Sequence, residues 1–514
     1  MKLAPAPEKL TRDLGKLLRP DQVSAADSHR LSYGRDSNSK AMLWVRQNEV
    51  KFPPWAVVWP ETSREVAEVA AFANERGVPL IPFGGGSGVC GGTWALRGGI
   101  ALDMKRMSRL LKVNTQAMEI RAQTGINGEI LERELQRKSL TLGHFPSSIY
   151  VATLGGYLAC RSAGQFSSRY GKIEDMVESI EVVLADGEIA ELGSVKEVPG
   201  ALDLKELFLG SEGTLGVLTE ATLRVHPLPE KDLYWGFQFP SLEAGLGAMR
   251  RLLQSGLRPS VLRLYDELDT KIFLSHGEES TENWWQSLIG RRTEPLLNWT
   301  KELSLKFALK NPSLLRAGLA LLPRACLLIL GFQGKTEEVM RWARRAGSIC
   351  AAAKGKDLGE KPGRRWLEHR YSVSYKLSPL FDAGYFADTM EVATTWDRLD
   401  GLYESIRQAM GRHALVMAHF SHAYPEGCSI YFTFIAYRDK EAENEKLYGQ
   451  IWREALKACV AAGGTISHHH GVGILKAEFM PQEWGQAWPW LKSMKAALDP
   501  RNILNPGKLG FADA

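Results

Sequence analysis

The stretch GGTISHHHGVG, residues 463–473, sets three imidazoles in a row between glycine pairs. His468, His469 and His470 in one tight loop suit a metal, a phosphate or a proton in transit. For any single one of them a purely structural role is the other reading. A second stretch able to do chemistry is IPFGGGSGVCGG, residues 81–92. Glycines there let successive backbone N–H groups converge on an anion without obstruction by Cβ. No GK[ST] follows, so this is not a P-loop. No helix follows either, since the chain runs through Gly91, Gly92, Gly98 and Gly99 into IALDM, which removes the context of a dinucleotide-fold fingerprint. Taken alone, the loop also reads as a glycine-rich structural turn.

These loops need elements to hold them, and 514 residues are too many for one ordinary core, so two domains are expected. Ala56 to Trp59 reads as a short strand. Thr62 and Glu65 have capping-box spacing ahead of an amphipathic helix, Gly77 suits its C-cap, and Val78 to Pro82 makes a second strand. From about 99 to 225, strand-like runs (GIALDM, MEIRAQTG, SIEVVLADGEIAEL, ATLRVHPL) alternate with short helical ones. Longer helical patterns and strands such as ACLLILGFQG fill 230–420. The pattern predicts an α+β chain in four parts: a helical arm over 1–50, a first domain over 51–228, a second over 229–460, and a C-terminal segment, 461–514, that carries the histidine loop back to the first domain.

In order, the first domain offers the glycine loop, then GHFPSSIYVATLGGYLACRSAGQFSSRYGKIEDMVESIEVVLADGE, then LFLGSEGTLGVLTEATLRV. Together these resemble the FAD-binding domain of vanillyl-alcohol-oxidase-type flavoproteins, which has two subdomains and is followed by an α+β cap. The resemblance implies that Pro82, Phe83, Gly84, Gly85, Gly86, Ser87 and Gly88 wrap the pyrophosphate. It implies that Ser147, Ser148, Thr153, Gly156, Cys160, Arg161, Ser162, Ala163 and Gly164 line the ribityl chain and isoalloxazine. Glu212, Gly213, Thr214, Leu215, Gly216, Val217 and Leu218 would complete the pocket. Covalent-flavin members carry a histidine in or beside the glycine loop; Phe83 to Thr93 contains none, so FAD is expected to be held non-covalently.

Two branches of that superfamily fit the length. The 2-hydroxy-acid dehydrogenases, of D-lactate or glycolate type, share the FAD domain and resemble the tail DPRNILNPGKL, 499–509. Their metal signature is reduced here: AHFSHAYPEGCSIYFTF keeps His419 without GDGN, and the glutamate of EHGxG is replaced in His469-His470-Gly471. No metal site is therefore expected, although His419, His422 and the histidine run are five imidazoles that could converge. The other branch is the alkyldihydroxyacetonephosphate synthases, which make the ether bond of ether lipids. SHHHGVG (467–473) resembles that family's three-histidine loop, CSIYFTF (428–434) its catalytic-tyrosine strand, LRLYD (262–266) the segment with an arginine important for activity, and MEVATTWDRL (390–399) a further cap segment. The resemblance implies Tyr431 as acid/base, with Arg263, His419, His468, His469 and His470 assisting. It implies that the acyl group of an acyl-dihydroxyacetone phosphate leaves and a fatty alcohol replaces it, with no net movement of electrons. A histidine cluster beside Tyr431 would lower the cost of the phenolate. His419 stands where the family has a substrate-phosphate arginine, and cannot make a bidentate fork.

A net charge of +5 gives no reason to expect nucleic acid as a partner. Six scattered cysteines without a CxxC pair indicate neither a zinc knuckle nor a disulfide framework. The start lacks an apolar signal core and FADA is no peroxisomal address, so a cytoplasmic location is expected; a homodimer is expected as well. Residues 283–326 combine Trp284, Trp285 and Trp299 with Arg291, Arg292, Lys301, Lys306, Lys310, Arg316 and Arg324. They read either as cap-domain helices or as a peripheral membrane surface, and no run reaches the roughly 18 apolar residues of a spanning helix.

Overall fold

A computed structural model of the chain describes residues 3–193, 202–275, 305–312, 324–372 and 378–511. Most of the basic, tryptophan-rich stretch 283–326, including Trp284, Trp285 and Trp299, lies outside the described residues. The chain forms two compact units: Met1–Gly164 with Gly171–Leu228 and Ser467–Ala514, and Gln165–Tyr170 with Pro229–Ile466.

Among the described residues the first unit holds three sheets, one of them only the pair Leu140–Thr141 and His226–Pro227. Of the two larger sheets, one has the order Val23–Ser24, Ala56–Val58, Ile100–Asp103, Leu80–Phe83, with the last three strands parallel. The helix Ser63–Arg76 connects Ala56–Val58 to Leu80–Phe83, and Ile100–Asp103 fills the place between them. Thr62 Oγ1 accepts from the amide of Glu65, and Gly77 closes the helix at φ 63°. The capping box is only half made, because the Glu65 carboxylate accepts instead from the amide of Glu61 and from Gln22 Nε2. The second sheet is antiparallel, ordered Leu110–Asn114, Glu119–Gln123, Val217–Arg224, Val177–Val183, Ile189–Gly193. Val183 and Val217 pack into one core with Val58, Val69, Leu80 and Ile100, so the two sheets share their interior.

The N-terminal residues are not an arm. Leu10, Leu14 and Leu18, spaced to share one helical face, are buried against Val66, Val69 and Ala73. Burying three leucines is worth about 1.5–3 kcal/mol each, more than enough to dock a short helix. The polar run at 36–38, with the composition of a loose loop, is buried at Asp36 and Asn38 and bonded to the glycine loop.

The second unit is built on one seven-stranded antiparallel sheet, ordered Lys356–Asp357, Lys231–Phe239, Cys326–Gly334, Val261–Tyr265, Leu415–Ala423, Gly427–Ala436, Phe386–Thr395. One face carries Met390, Phe432 and Phe420 beneath the helices Leu399–Met410 and Glu441–Ala461, where Asp388 accepts from Tyr448 Oη and Trp452 Nε1. Two boundaries differ from the sequence reading. Residues 165–170 leave the first domain because Ser167 Oγ bonds His422 Nδ1 and Tyr170 Oη donates to Gln333. The second unit runs to Ile466, not 460, because Thr465 exchanges backbone bonds with Ala393 before the chain departs. Among the described residues, no helix is long and apolar enough to cross a membrane.

Candidate active site

The first set of candidate residues lies in the first unit. After the strand Leu80–Phe83 the glycine loop turns its carbonyls toward the protein: Gly84 O accepts from Lys105 Nζ, Gly86 O from Ser37 Oγ, and Gly88 O from the amide of Ser37. A planar trans peptide points the next N–H the opposite way. Among the described residues, the amides of 85–89 donate to nothing in the protein, which leaves them available to an anion as a nest would be. Only glycine fits the inner side. A Cβ on Gly84 would lie 2.3 Å from Thr153 Oγ1, and one on Gly85 2.0 Å from the Val151 carbonyl. On Gly88 a Cβ would meet only Asp36 Oδ2, at 3.7 Å, an oxygen that is buried without a hydrogen-bond partner. Burial pushes the Asp36 carboxyl up to about 6, with bonds to Trp94 and Asn38 opposing. A pyrophosphate over the nest, and hydroxyl or N–H groups beside Asp36, fit what these atoms lack.

The turn 144–164 abuts this loop. Ser148 O accepts from the amides of Val151 and Ala152, and Thr153 caps the short helix Leu154–Ala159 through Gly156 N. Gly164 lies against Phe145 N, where a Cβ would come to 2.5 Å. His144 Nε2 bonds Ser162 Oγ at 2.7 Å, and burial holds this imidazole neutral, its pKa near 3. Arg161 donates from Nε to Leu209 O and from Nη2 to the carbonyl and carboxylate of Glu206. Ala163 is buried in the turn. The loop 211–218 closes the set, with Gly213 (φ 72°) facing the Pro82 ring, Gly216 facing Val182, and Leu215 to Leu218 buried. Asn505 Nδ2 donates to both Gly92 O and Glu212 O, which sets the tail across two of the predicted cofactor loops.

The histidine turn belongs to this unit too. His468 Nδ1 and His469 Nδ1 are 3.1 Å apart, so one carries the proton and the other accepts it, and the His469 and His470 rings meet edge to face at 4.5 Å. Cys160 lies beside Gly471, its thiol pushed up by burial and by the nearby Glu212.

The second set lies on the second unit's sheet, on the face away from Met390 and Phe432. Three strand pairings align Glu391, Tyr431, His419 and Tyr265 in one row, with Arg263 two positions along from Tyr265. Tyr431 stacks on His419 with centroids 4.7 Å apart and donates to Thr389 Oγ1 at 3.0 Å. Burial pushes its phenol up to about 12, outweighing the relief from the Thr389 bond and the Arg263 charge, and the fields of Asp388 and Glu391 add smaller upward pushes. On this sheet Tyr431 is therefore a neutral phenol. His419 Nδ1 sits 3.4 Å from Asp269, whose carboxyl is pushed up to about 8 by burial and by Asp266. Arg263 stands over the Tyr265 ring at 5.3 Å, and its Nε is buried with no acceptor. His422, at φ 51°, is bonded to Ser167.

Glu391, Asp269, Thr389, Asp36 and Asn505 were missed by sequence reasoning. Glu391 left a signal, a carboxylate at an inward position of MEVATT, a strand with apolar neighbours. The others have no local pattern.

A glycine nest, a cleft of small residues and a separate sheet bearing titratable side chains define a class, the vanillyl-alcohol-oxidase-type FAD-binding flavoproteins. Residues 54–193 match the FAD binding domain family, and residues 228–509 match the family of FAD linked oxidases, C-terminal domain. The chain is 30% identical to an alkyldihydroxyacetonephosphate synthase of Dictyostelium discoideum, over 98% of this chain and 80% of that one. A solved alkyldihydroxyacetonephosphate synthase superposes with a TM-score of 0.78 at 27% identity, covering 98% of this chain and 87% of the other. p-Cresol methylhydroxylase, at 16% identity and a TM-score of 0.71 over 98% and 96% of the two chains, shares the fold. The chain belongs to the alkyldihydroxyacetonephosphate synthase family of FAD-linked oxidases.

Proposed function

We infer that this chain is an FAD-dependent synthase that exchanges the acyl group of an acyl-dihydroxyacetone phosphate for a fatty alcohol. The observation that carries this reading is the row across the second sheet: a phenol, an imidazole and a guanidinium on one face, in a chain of that family. FAD is held non-covalently, because Phe83 to Thr93 offers no histidine to bond it. The amides of 85–89 hold its pyrophosphate, and the turn 147–164 and loop 211–218 shape the space around the rest. Bound FAD supplies a ring that takes up and returns an electron pair, so the exchange ends with no net oxidation.

The chain's own groups supply the rest. Arg263, with an unfilled Nε, offers charge to the substrate phosphate. Tyr431, neutral at physiological pH, gives a proton to an oxygen of the substrate, and the adjoining His419 with Asp269 provides a route for its return. The 2-hydroxy-acid dehydrogenase reading is weaker, since Tyr431 stands where that branch places a metal-binding imidazole. Both substrates carry long chains, and each buried CH₂ is worth about 0.8 kcal/mol. The protein accordingly works at the surface of a membrane, from the cytoplasmic side, through the basic tryptophan-rich stretch.

Anaerobic mixing tests the chemistry. Acyl-dihydroxyacetone phosphate with a fatty alcohol should turn over while the flavin's visible band returns to its oxidised form. Lasting bleaching by D-lactate or glycolate, without turnover of the acyl substrate, would assign the protein to the dehydrogenases.

A further inference from the structure

One carboxylate joins two segments of the first unit that are 260 positions apart in sequence. The amide of Val472 donates to Glu212 Oε1 at 2.5 Å, and that of Gly473 donates to Oε2 at 2.8 Å. Consecutive backbone amides thus fill both oxygens of a buried side chain, a nest whose anion comes from the protein itself. Glu212 reaches them from a left-handed backbone at φ 50°, and the turn passes so close that a Cβ on Gly471 would lie 2.7 Å from Oε1.

The backbone of the same residue is fixed on the cofactor side. Its amide donates to Ala159 O, at the end of the helix capped by Thr153, and its carbonyl accepts from Asn505. The flanks of the histidine turn are tied elsewhere: Ser467 Oγ donates to Gly471 O, and the amides of Ile474 and Leu475 donate to Cys90 O. The amides of 472 and 473 are left to Glu212.

We propose that Glu212 is a positioning residue whose carboxylate couples the FAD-binding loop 211–218 to the turn bearing His468, His469 and His470, so that cofactor occupancy and the order of that turn form one equilibrium. The proposal rests on the reading that FAD binds this loop. Linkage makes the coupling reciprocal: a ligand that steadies the loop protects the turn, and a broken clamp weakens the ligand by the same factor. The side chain thus serves the histidines, while the backbone of the same residue serves the pocket.

Hydrogen exchange at the amides of Val472 and Gly473 tests this on the full chain, with and without FAD. Stripping FAD from the wild type should speed exchange at both amides about tenfold or more, with amides of Val177–Val183 as unchanged controls. In Glu212→Ala both should exchange fast whether or not FAD is present. In Glu212→Gln, which offers one oxygen in the same shape, a single amide should stay protected. Holo Glu212→Gln should lose kcat with KM for the acyl substrate within twofold. Wild-type amides equally protected with and without FAD would overturn the coupling. If Glu212→Ala retains no FAD, the two apoproteins decide: equal exchange at 472 and 473 overturns the clamp. Coupled exchange in a protein that does not turn over the acyl substrate supports the clamp and refutes the functional reading alone.

Discussion

Tyr431→Phe separates chemistry from packing. The ring keeps its place in the strand Gly427–Ala436 and its stack on His419, so the change removes one oxygen and with it the 3.0 Å hydrogen bond to Thr389 Oγ1. Losing such a bond costs about 0.5–1.5 kcal/mol of stability, a fraction of the 5–15 kcal/mol typical of a folded domain. If the hydroxyl gives its proton in the rate-limiting exchange, its loss costs roughly 10²–10⁴ in rate, or about 3–5 kcal/mol of barrier. The two magnitudes do not overlap, so initial rates of alcohol-for-acyl exchange at matched FAD content distinguish them. The phenol is pushed up to about 12, so it stays protonated across the working range and the defect should be constant from about pH 6 to pH 9. Activity within threefold of wild type, at equal FAD content, would refute the assignment of Tyr431.

Gly85→Ala sets a Cβ 2.0 Å from a backbone carbonyl; at about 1–3 kcal/mol for overpacking, FAD should bind about ten- to a hundredfold more weakly, and an unchanged flavin titration would count against the nest. Asp269 binds its proton more tightly folded than unfolded, so its contribution to stability is full below about pH 4 and is lost as pH rises through about 8. Asp269→Asn should therefore lose less melting temperature than wild type between about pH 6 and pH 9, and parallel curves would contradict the shift. The double change Trp284→Ser and Trp285→Ser should reduce co-sedimentation with anionic liposomes, and activity on long-chain substrate, while sparing FAD content. Equal sedimentation of variant and wild type would leave that stretch a part of the cap.

Features with a local cause could be read from the sequence. Thr62 and Gly77 bracket the helix Ser63–Arg76 because capping is decided within a few residues, and the glycine loop stood out by where glycines crowd after a strand. Tyr431 and His419 were found through resemblance, yet their stacking follows from register, which pairs positions twelve apart in sequence. Glu391 and Asp269 reach the same row from segments 40 and 150 positions from His419 or Tyr431, and no short window records that. Arg161 also bonds the carbonyls of 206 and 209 and the Glu206 carboxylate, partners that its place in a cofactor motif did not suggest. The first fifty residues read as a helical arm because their leucines find their partners only across the fold.

The first unit has a schedule as well as a shape. Its cofactor loops, complete in sequence by residue 218, depend on Leu80 pairing with Leu504, on Lys495 holding Thr214 O, and on Lys508 holding Trp94 O. Roughly 240 residues of the second unit intervene, and at about 5–20 residues per second a ribosome needs roughly 10–50 seconds to pass them. During that interval the second unit can fold, while the glycine loop waits with its tail partners unmade. If these loops hold FAD, cofactor capture waits for the tail, and a cell short of FAD is expected to accumulate chains whose second unit is finished before the first.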